Sequence, residues 1–270
     1  MGTVHGVWLK YVALSGLSFA GYSYFSESSE DEDRSSAFSL LGLTVTRSTL
    51  PALAWGYSTA VNGVIAILFK LEWGMSILGK DTVQGTIPWW SYVVWFPFHI
   101  PTYLYTNIHK FISRYKNPET DVYEPVPVAV ATQVQTGWWI GGCHGHELHK
   151  DWSAVIDLTV EFPESCRTVA YLAIPTWDGV PASPAQLEHA AAWAVQQHDK
   201  YGGDILVHCA HGRGRSTTVL CACLVKAGLF ETWQQAFEEG IKPKRPVCKL
   251  NKRMRENLTQ WQELYVAKGK

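Results

Sequence analysis

The 270-residue chain has no excess of charge of either sign. Its 23 Lys and Arg stand against 24 Asp and Glu, a formal net charge of −1. That balance supplies no electrostatic pull toward nucleic acid, and with no reading motif present no nucleic-acid partner is expected. The six cysteines (Cys143, Cys166, Cys209, Cys221, Cys223 and Cys248) contain no CxxC pair, which argues against a zinc ribbon or a thioredoxin-type motif. A disulfide framework is not expected in a chain long enough to bury a sizeable apolar core. Charge is also scarce locally. Residues 1–110 hold 13 charged side chains, whereas residues 111–270 hold 34, divided evenly between the signs. The first part reads as apolar and aromatic, the second as an ordinary soluble domain.

What fills the charge-poor part is long hydrophobic sequence. The 22 residues 48–69, STLPALAWGYSTAVNGVIAILF, lack any formal charge, about the length needed to cross a bilayer core. Another 28 residues, Thr82 to His109, lack Asp, Glu, Lys and Arg and are rich in Trp and Tyr, which gather at membrane interfaces. Pro88, Pro97 and Pro101 should bend or break a helix there, giving a bent spanning or re-entrant segment. A weaker candidate runs from Val7 to Phe25, followed by an acidic stretch, Glu27 to Asp33, expected as a loop. Residues 1–115 are therefore expected to form a hydrophobic, membrane-associated helical region with membrane lipids as partners. Lys110, Arg114 and Lys116 place the following domain on the cytoplasmic side by the positive-inside rule. The number of spans stays open.

The stretch 116–128, KNPETDVYEPVPV, carries three prolines among polar residues and reads as an extended linker. Over 129–270 short apolar runs alternate with amphipathic helices. Strands are expected at WWI (138–140), AVIDLTV (154–160), TVAYLAI (168–174) and DILVHC (204–209). A helix should start at Ser183, where Pro184 and Gln186 make a capping box, and stop at Gly202–Gly203. Another should follow through STTVLCACLVKAG, and two more near 231–240 and 250–266. The alternation predicts an α/β domain whose central sheet is mostly parallel.

The segment HCAHGRGRS, 208–216, joins an apolar strand to a helix through a loop holding Gly212 and Gly214. Such a loop aims several backbone N–H groups into one concavity, and the next helix adds its positive end. Residues Ala210, His211, Gly212, Arg213 and Gly214, with Arg215, are the expected phosphate-binding set. Cys209 at the head of this cradle would have its thiolate stabilised and act as nucleophile. His208 and Ser216 can add hydrogen bonds around it, and the planar fork of Arg215 suits a phosphoryl group.

HCAHGRGRS resembles the Cys-(any five)-Arg-Ser/Thr signature of the protein tyrosine and dual-specificity phosphatases, over roughly residues 130–266. The compact size favours the dual-specificity branch. The resemblance implies a phosphocysteine intermediate on Cys209, phosphate binding by Arg215, and help from Ser216 when the thiolate leaves. It implies no metal and no organic cofactor. A carboxyl group must protonate the leaving oxygen. Asp178, in PTWDGVPAS, has a spacing to Cys209 that resembles the family's, with Asp157 as a competitor better suited to a structural role.

The substrate is left open between a phosphoprotein and a phospholipid. Arg213 could meet an extra lipid phosphate, assisted by His211 when protonated, or it could face solvent or a structural carboxylate. CHGHELH, 143–149, is expected to lead into a short helix near the site rather than to bind metal. The leading expectation is a membrane-tethered phosphatase; the alternative is a catalytically inactive phosphate-binding adaptor.

Overall fold

The computed structural model describes residues 6–31, 38–40, 43–45, 48–116 and 125–266. They form two compact units. The first comprises residues 6–74 and 94–101, the second residues 75–93 and those from 102 onward. The division does not fall at the proline-bearing stretch 116–128. There, β3 (Arg114–Lys116) pairs antiparallel with β4 (Pro125–Pro127), and residues 117–124 lie outside the described ones.

In the first unit α1 (Trp8–Asp31) packs along α2 (Thr49–Leu71), and a short antiparallel pair, β1 (Phe38–Leu40) and β2 (Leu43–Val45), lies between them in sequence. The acidic stretch expected as a loop is helical as far as Asp31. Contact is close because small residues face rings: a Cβ on Gly21 would lie 2.7 Å from the Trp55 indole. The Tyr11 and Phe69 rings meet at 4.8 Å. The chain leaves α2 through Glu72, whose φ of 56° lets its N–H bond the carbonyls of Leu68 and Phe69. Among the described residues α2 is the one helix long and apolar enough to cross a membrane, with mean hydropathy 1.5 over its window. The 82–109 stretch is interrupted, as its prolines lead one to expect. It forms two helices, α3 (Trp89–Val94) and α4 (Phe96–Ile112), with Pro101 inside the second. The break falls at Trp95, because Pro97 has no N–H to donate back to the Val93 carbonyl and its ring crowds that turn.

The second unit is built on a five-stranded sheet in the order β5-β6-β9-β7-β8. The strands are β5 (Ala131–Gln135), β6 (Trp138–Gly141), β7 (Asp151–Thr159), β8 (Arg167–Thr176) and β9 (Ile205–His208). The sheet is mixed, not mostly parallel as expected. β5 runs antiparallel to β6, while β9 lies parallel between β6 and β7 and β8 parallel to β7. β5 escapes a reading of apolar runs because, as an edge strand, it buries only Ala131 and Val134 of ATQVQ. Gly137, at φ +80°, makes the tight turn that sends it back antiparallel.

The helices are α5 (Pro184–Tyr201), α6 (Arg215–Lys226), α7 (Trp233–Gln235), which continues as a wide turn through Ile241, and α8 (Lys252–Trp261). Helix α5 begins where its capping box predicts, with Ser183 and Gln186 exchanging bonds, and ends on Gly202 in left-handed backbone. Strand β9 is buried at every position, as is α6 from Arg215 to Val225. Burying each large aliphatic side chain of such elements is worth about 1.5–3 kcal/mol. That rigid strand–helix pair carries the loop 209–214.

Candidate active site

Cys209 follows the last residue of β9 and its side chain is buried. Its amide donates to the Gly141 carbonyl at 3.3 Å, tying the head of the loop to β6. Gly212 sits at φ +65°, and a Cβ there would lie 2.5 Å from the backbone of Gly141. No side chain fits, so glycine is a steric requirement. Among the described residues the amides of 210–214 donate to no backbone carbonyl, leaving them for an anion in the concavity.

Burial alone would push the Cys209 thiol up. The Arg215 charge, the Ser216 hydroxyl and the amides of Ser216 and Arg213 outweigh it and hold the thiol below its ordinary value. The Ser216 Oγ lies 3.4 Å from the sulfur. Burial pushes the thiols of Cys143, Cys166, Cys221, Cys223 and Cys248 the other way.

Arg215, the first residue of α6, is 2 % exposed. Its Nη1 donates to the carbonyls of Leu158 at 3.0 Å and Thr176 at 2.6 Å. Its Nη2 donates to Glu161 Oε1 at 2.6 Å and lies 3.6 Å from Asp178 Oδ1. Desolvation works against this charge, but Glu161, Asp178 and the Cys209 sulfur overcome it and keep the guanidinium firmly protonated. Its Nε is buried with no partner among the described residues. A buried N–H left unpaired costs about 1–3 kcal/mol, and an oxygen ligand would recover that. Glu161 was not legible as a site residue: it is one acid among several after β7, and only the fold brings it to the guanidinium.

Asp178 stands in the loop after β8, its side chain 44 % exposed. The loop is fixed around it. Trp177 is fully buried, the Val180 amide bonds the Trp177 carbonyl at 3.0 Å, and Asn251 donates to the Gly179 carbonyl at 3.1 Å. Both oxygens of Asp157 are already occupied. Its carboxylate accepts from the amide and hydroxyl of Thr159 at 2.7 and 2.8 Å, from Tyr171 at 3.0 Å and from Lys80.

His208 faces away from the cradle and bonds Glu164 Oε2 at 2.7 Å. Burial depresses imidazolium, but Glu164 and Asp157 raise the His208 pKa to about 9, and His208 in turn brings Glu164 down to about 2 against the cost of its burial. His211 is the opposite case. Burial, with His109, Arg213 and Arg215 nearby, lowers its pKa to about 3 despite Asp178, so it is neutral at physiological pH. Its ring packs on His109 at 4.6 Å and edge-on to Tyr105 at 5.7 Å. The Arg213 head group is held by the end of α4 and the residue after it: Nη2 donates to Ser113 Oγ at 3.0 Å, and Nη1 lies 3.4 Å from His109 Nε2. Near the cradle, the Cys143 amide bonds the Ala210 carbonyl at 3.2 Å, and Gly145–Leu148 form a single 3₁₀ turn.

A buried thiol held below its ordinary pKa, a glycine-dependent loop of amides and a guanidinium at the head of the next helix meet in one place, an arrangement able to hold and attack a phosphate ester. Residues 147–264 match the family "Dual specificity phosphatase, catalytic domain". No curated protein matches the chain. Among solved structures, human DUSP28 is 25% identical over 52% of this chain and 97% of its own, with a TM-score of 0.44. Tk-PTP in its active form is 24% identical over 50% of this chain and 97% of its own, with a TM-score of 0.42. PTPMT1 in complex with PI(5)P is 17% identical over 53% of this chain and 100% of its own, with a TM-score of 0.44.

Proposed function

We propose that the protein is a membrane-tethered phosphatase that hydrolyses phosphate monoesters through a phosphocysteine intermediate. The observation that carries this is the pairing of Cys209 and Arg215. The thiol is held toward thiolate, and the guanidinium is clamped while its Nε stays unpaired. In the first step the Cys209 thiolate attacks phosphorus, an S–P bond forms as the ester P–O bond breaks, and Asp178 gives its proton to the departing oxygen. Water then attacks the phosphocysteine, Asp178 takes up a proton, and Ser216 donates a hydrogen bond to the leaving thiolate. Arg215 and the loop amides hold the equatorial oxygens through both steps.

Tethering is supported by α2 and by one side of α4. Tyr103, Leu104, Ile108, Phe111 and Ile112 are all exposed and lie on one helical face. That helix holds no acidic residue, a composition that does not oppose an anionic lipid surface.

The test is phosphate release by the full chain, wild type beside Cys209→Ser, from phosphotyrosine peptides, phosphoserine peptides and phosphoinositide vesicles. Release that depends on Cys209 supports the reading, and the preferred member of the panel separates protein from lipid substrates. A folded, reduced protein that binds phosphate without releasing it from any ester would instead be an adaptor.

A further inference from the structure

Beneath the cradle lies a buried charge cluster that the reaction does not use. Asp157, Glu164 and His208 converge until one ligand atom of each lies within 4.8 Å of the others. A cation already balances the two carboxylates. The Lys80 ammonium pairs with Asp157 and donates to the Thr159 carbonyl at 2.8 Å, the Thr159 hydroxyl at 2.9 Å and the Phe162 carbonyl at 2.6 Å. Its side chain is 1% exposed. Lys80 lies outside the residues that match the family, in the loop between α2 and α3.

The loop is registered, not draped. The Asp81 carboxylate accepts from the amides of Val83 at 2.7 Å and Gln84 at 3.0 Å, closing a tight turn. The Gly85 carbonyl accepts from the Glu164 amide at 2.9 Å. A Cβ on Gly85 would sit 2.5 Å from the Glu164 Cβ and 2.8 Å from the Tyr171 hydroxyl. Only glycine allows this approach, which delivers Lys80 to its place.

We propose that Lys80 is a positioning residue of the catalytic site, its ammonium completing a neutral four-group cluster with Asp157, His208 and Glu164. The cluster reaches the chemistry along two routes. Through Asp157 and His208 it fixes the end of β9, from which Cys209 projects. Through the carbonyls of Thr159 and Phe162 it pins the turn that carries Glu161, the carboxylate that orients Arg215. Without the ammonium, two carboxylates share one imidazolium and the cluster is left with a buried negative charge. That charge opposes the neighbouring thiolate. Among the described residues the other charged or titratable groups facing Cys209 are Arg213, Arg215, Cys143 and Cys248, and Tyr171 bonds Asp157; all are unchanged in the variants below.

The proposal rests on Cys209 being the reactive thiol of the phosphatase reading, so its test reads the thiol and not turnover. Iodoacetamide alkylation of Cys209 in the full chain is followed by peptide mass spectrometry from pH 4 to 9. Lys80→Met should move the alkylation profile to higher pH, lowering the rate near pH 6 on the order of tenfold. Asp157→Asn leaves the ammonium in excess and should move the profile to lower pH. The double variant, neutral again, should return toward wild type. If Lys80→Met does not fold, the sign of the Asp157→Asn shift decides alone. Folded variants with lowered Tm but an unmoved profile, or shifts of one sign in both single variants, overturn the proposal. An unmoved profile in a chain that still releases phosphate sinks this proposal only; a moved profile in a chain without release sinks only the phosphatase reading.

Discussion

Arg215 is held by one carboxylate and two carbonyls, bonds that cover Nη1 and Nη2 and leave Nε over. The fork is thereby oriented before any substrate arrives, so little side-chain entropy remains to be lost on binding. Asp178 differs in kind. It is nearly half exposed and meets Arg215 only at 3.6 Å, a contact loose enough for the carboxyl to turn toward a leaving group. Replacing it separates its role from that of the cradle. Asp178→Ala should slow esters with leaving groups of high pKa by roughly 100-fold or more. An activated aryl phosphate, whose oxygen leaves without a proton, should change far less. A series of kcat values against leaving-group pKa checks this, and equal slowing along the series would remove Asp178 from the acid role.

The ends of β7 and β9 are joined by ionised side chains, which gives these elements a pH dependence. His208 has its pKa raised from 6.5 to about 9. Its stabilising effect is therefore complete below pH 6.5 and is lost as pH rises through about 9. Glu164 has its pKa lowered from 4.5 to about 2. Its effect is complete above pH 4.5 and is lost as pH falls through about 2. The two shifts describe one pair, counted once, and on the order of a few kcal/mol is at stake. Denaturant midpoints of the wild type should thus decline from pH 6.5 to 9. Glu164→Gln, which removes the carboxylate that raises His208 most, should show a lower plateau and a shallower decline. Parallel curves for the two proteins would mean that the pair does not set the slope.

At the scale of the whole molecule, residues 75–93 belong to the same compact unit as the five-stranded sheet and the cradle. A fragment of residues 117–270, cut at the prolines, would discard Lys80 and leave Asp157 buried without its ammonium. Breaking one side of a buried ion pair costs about 3–5 kcal/mol, a large share of the 5–15 kcal/mol that typically holds a domain together. Urea unfolding should therefore show a markedly lower midpoint for residues 117–270 than for residues 75–270. Equal midpoints would show that the preceding segment adds nothing to the fold. Helix α4, next along the chain, presents two faces. One holds Arg213 and His211, and the other exposes Tyr103, Leu104, Ile108, Phe111 and Ile112.

Features set by local chemistry were legible in order along the chain. HCAHGRGRS announces a strand, a glycine turn and a helix start, because those conformations depend on near neighbours. The capping box at Ser183, the stop at Gly202 and the apolar run of β9 are of the same kind. The direction of β5 was not legible, since an edge strand half open to solvent has no continuous apolar run. Nor were Glu161, Glu164 and Lys80. A charge in sequence looks solvated, and burial with a partner 77 residues away, as for Lys80 and Asp157, is decided only when the chain folds back. The apolar stretch 82–109 shows the same limit. Composition made it hydrophobic and its prolines foretold a break, but only tertiary packing gave one of its two helices a polar face toward the cradle.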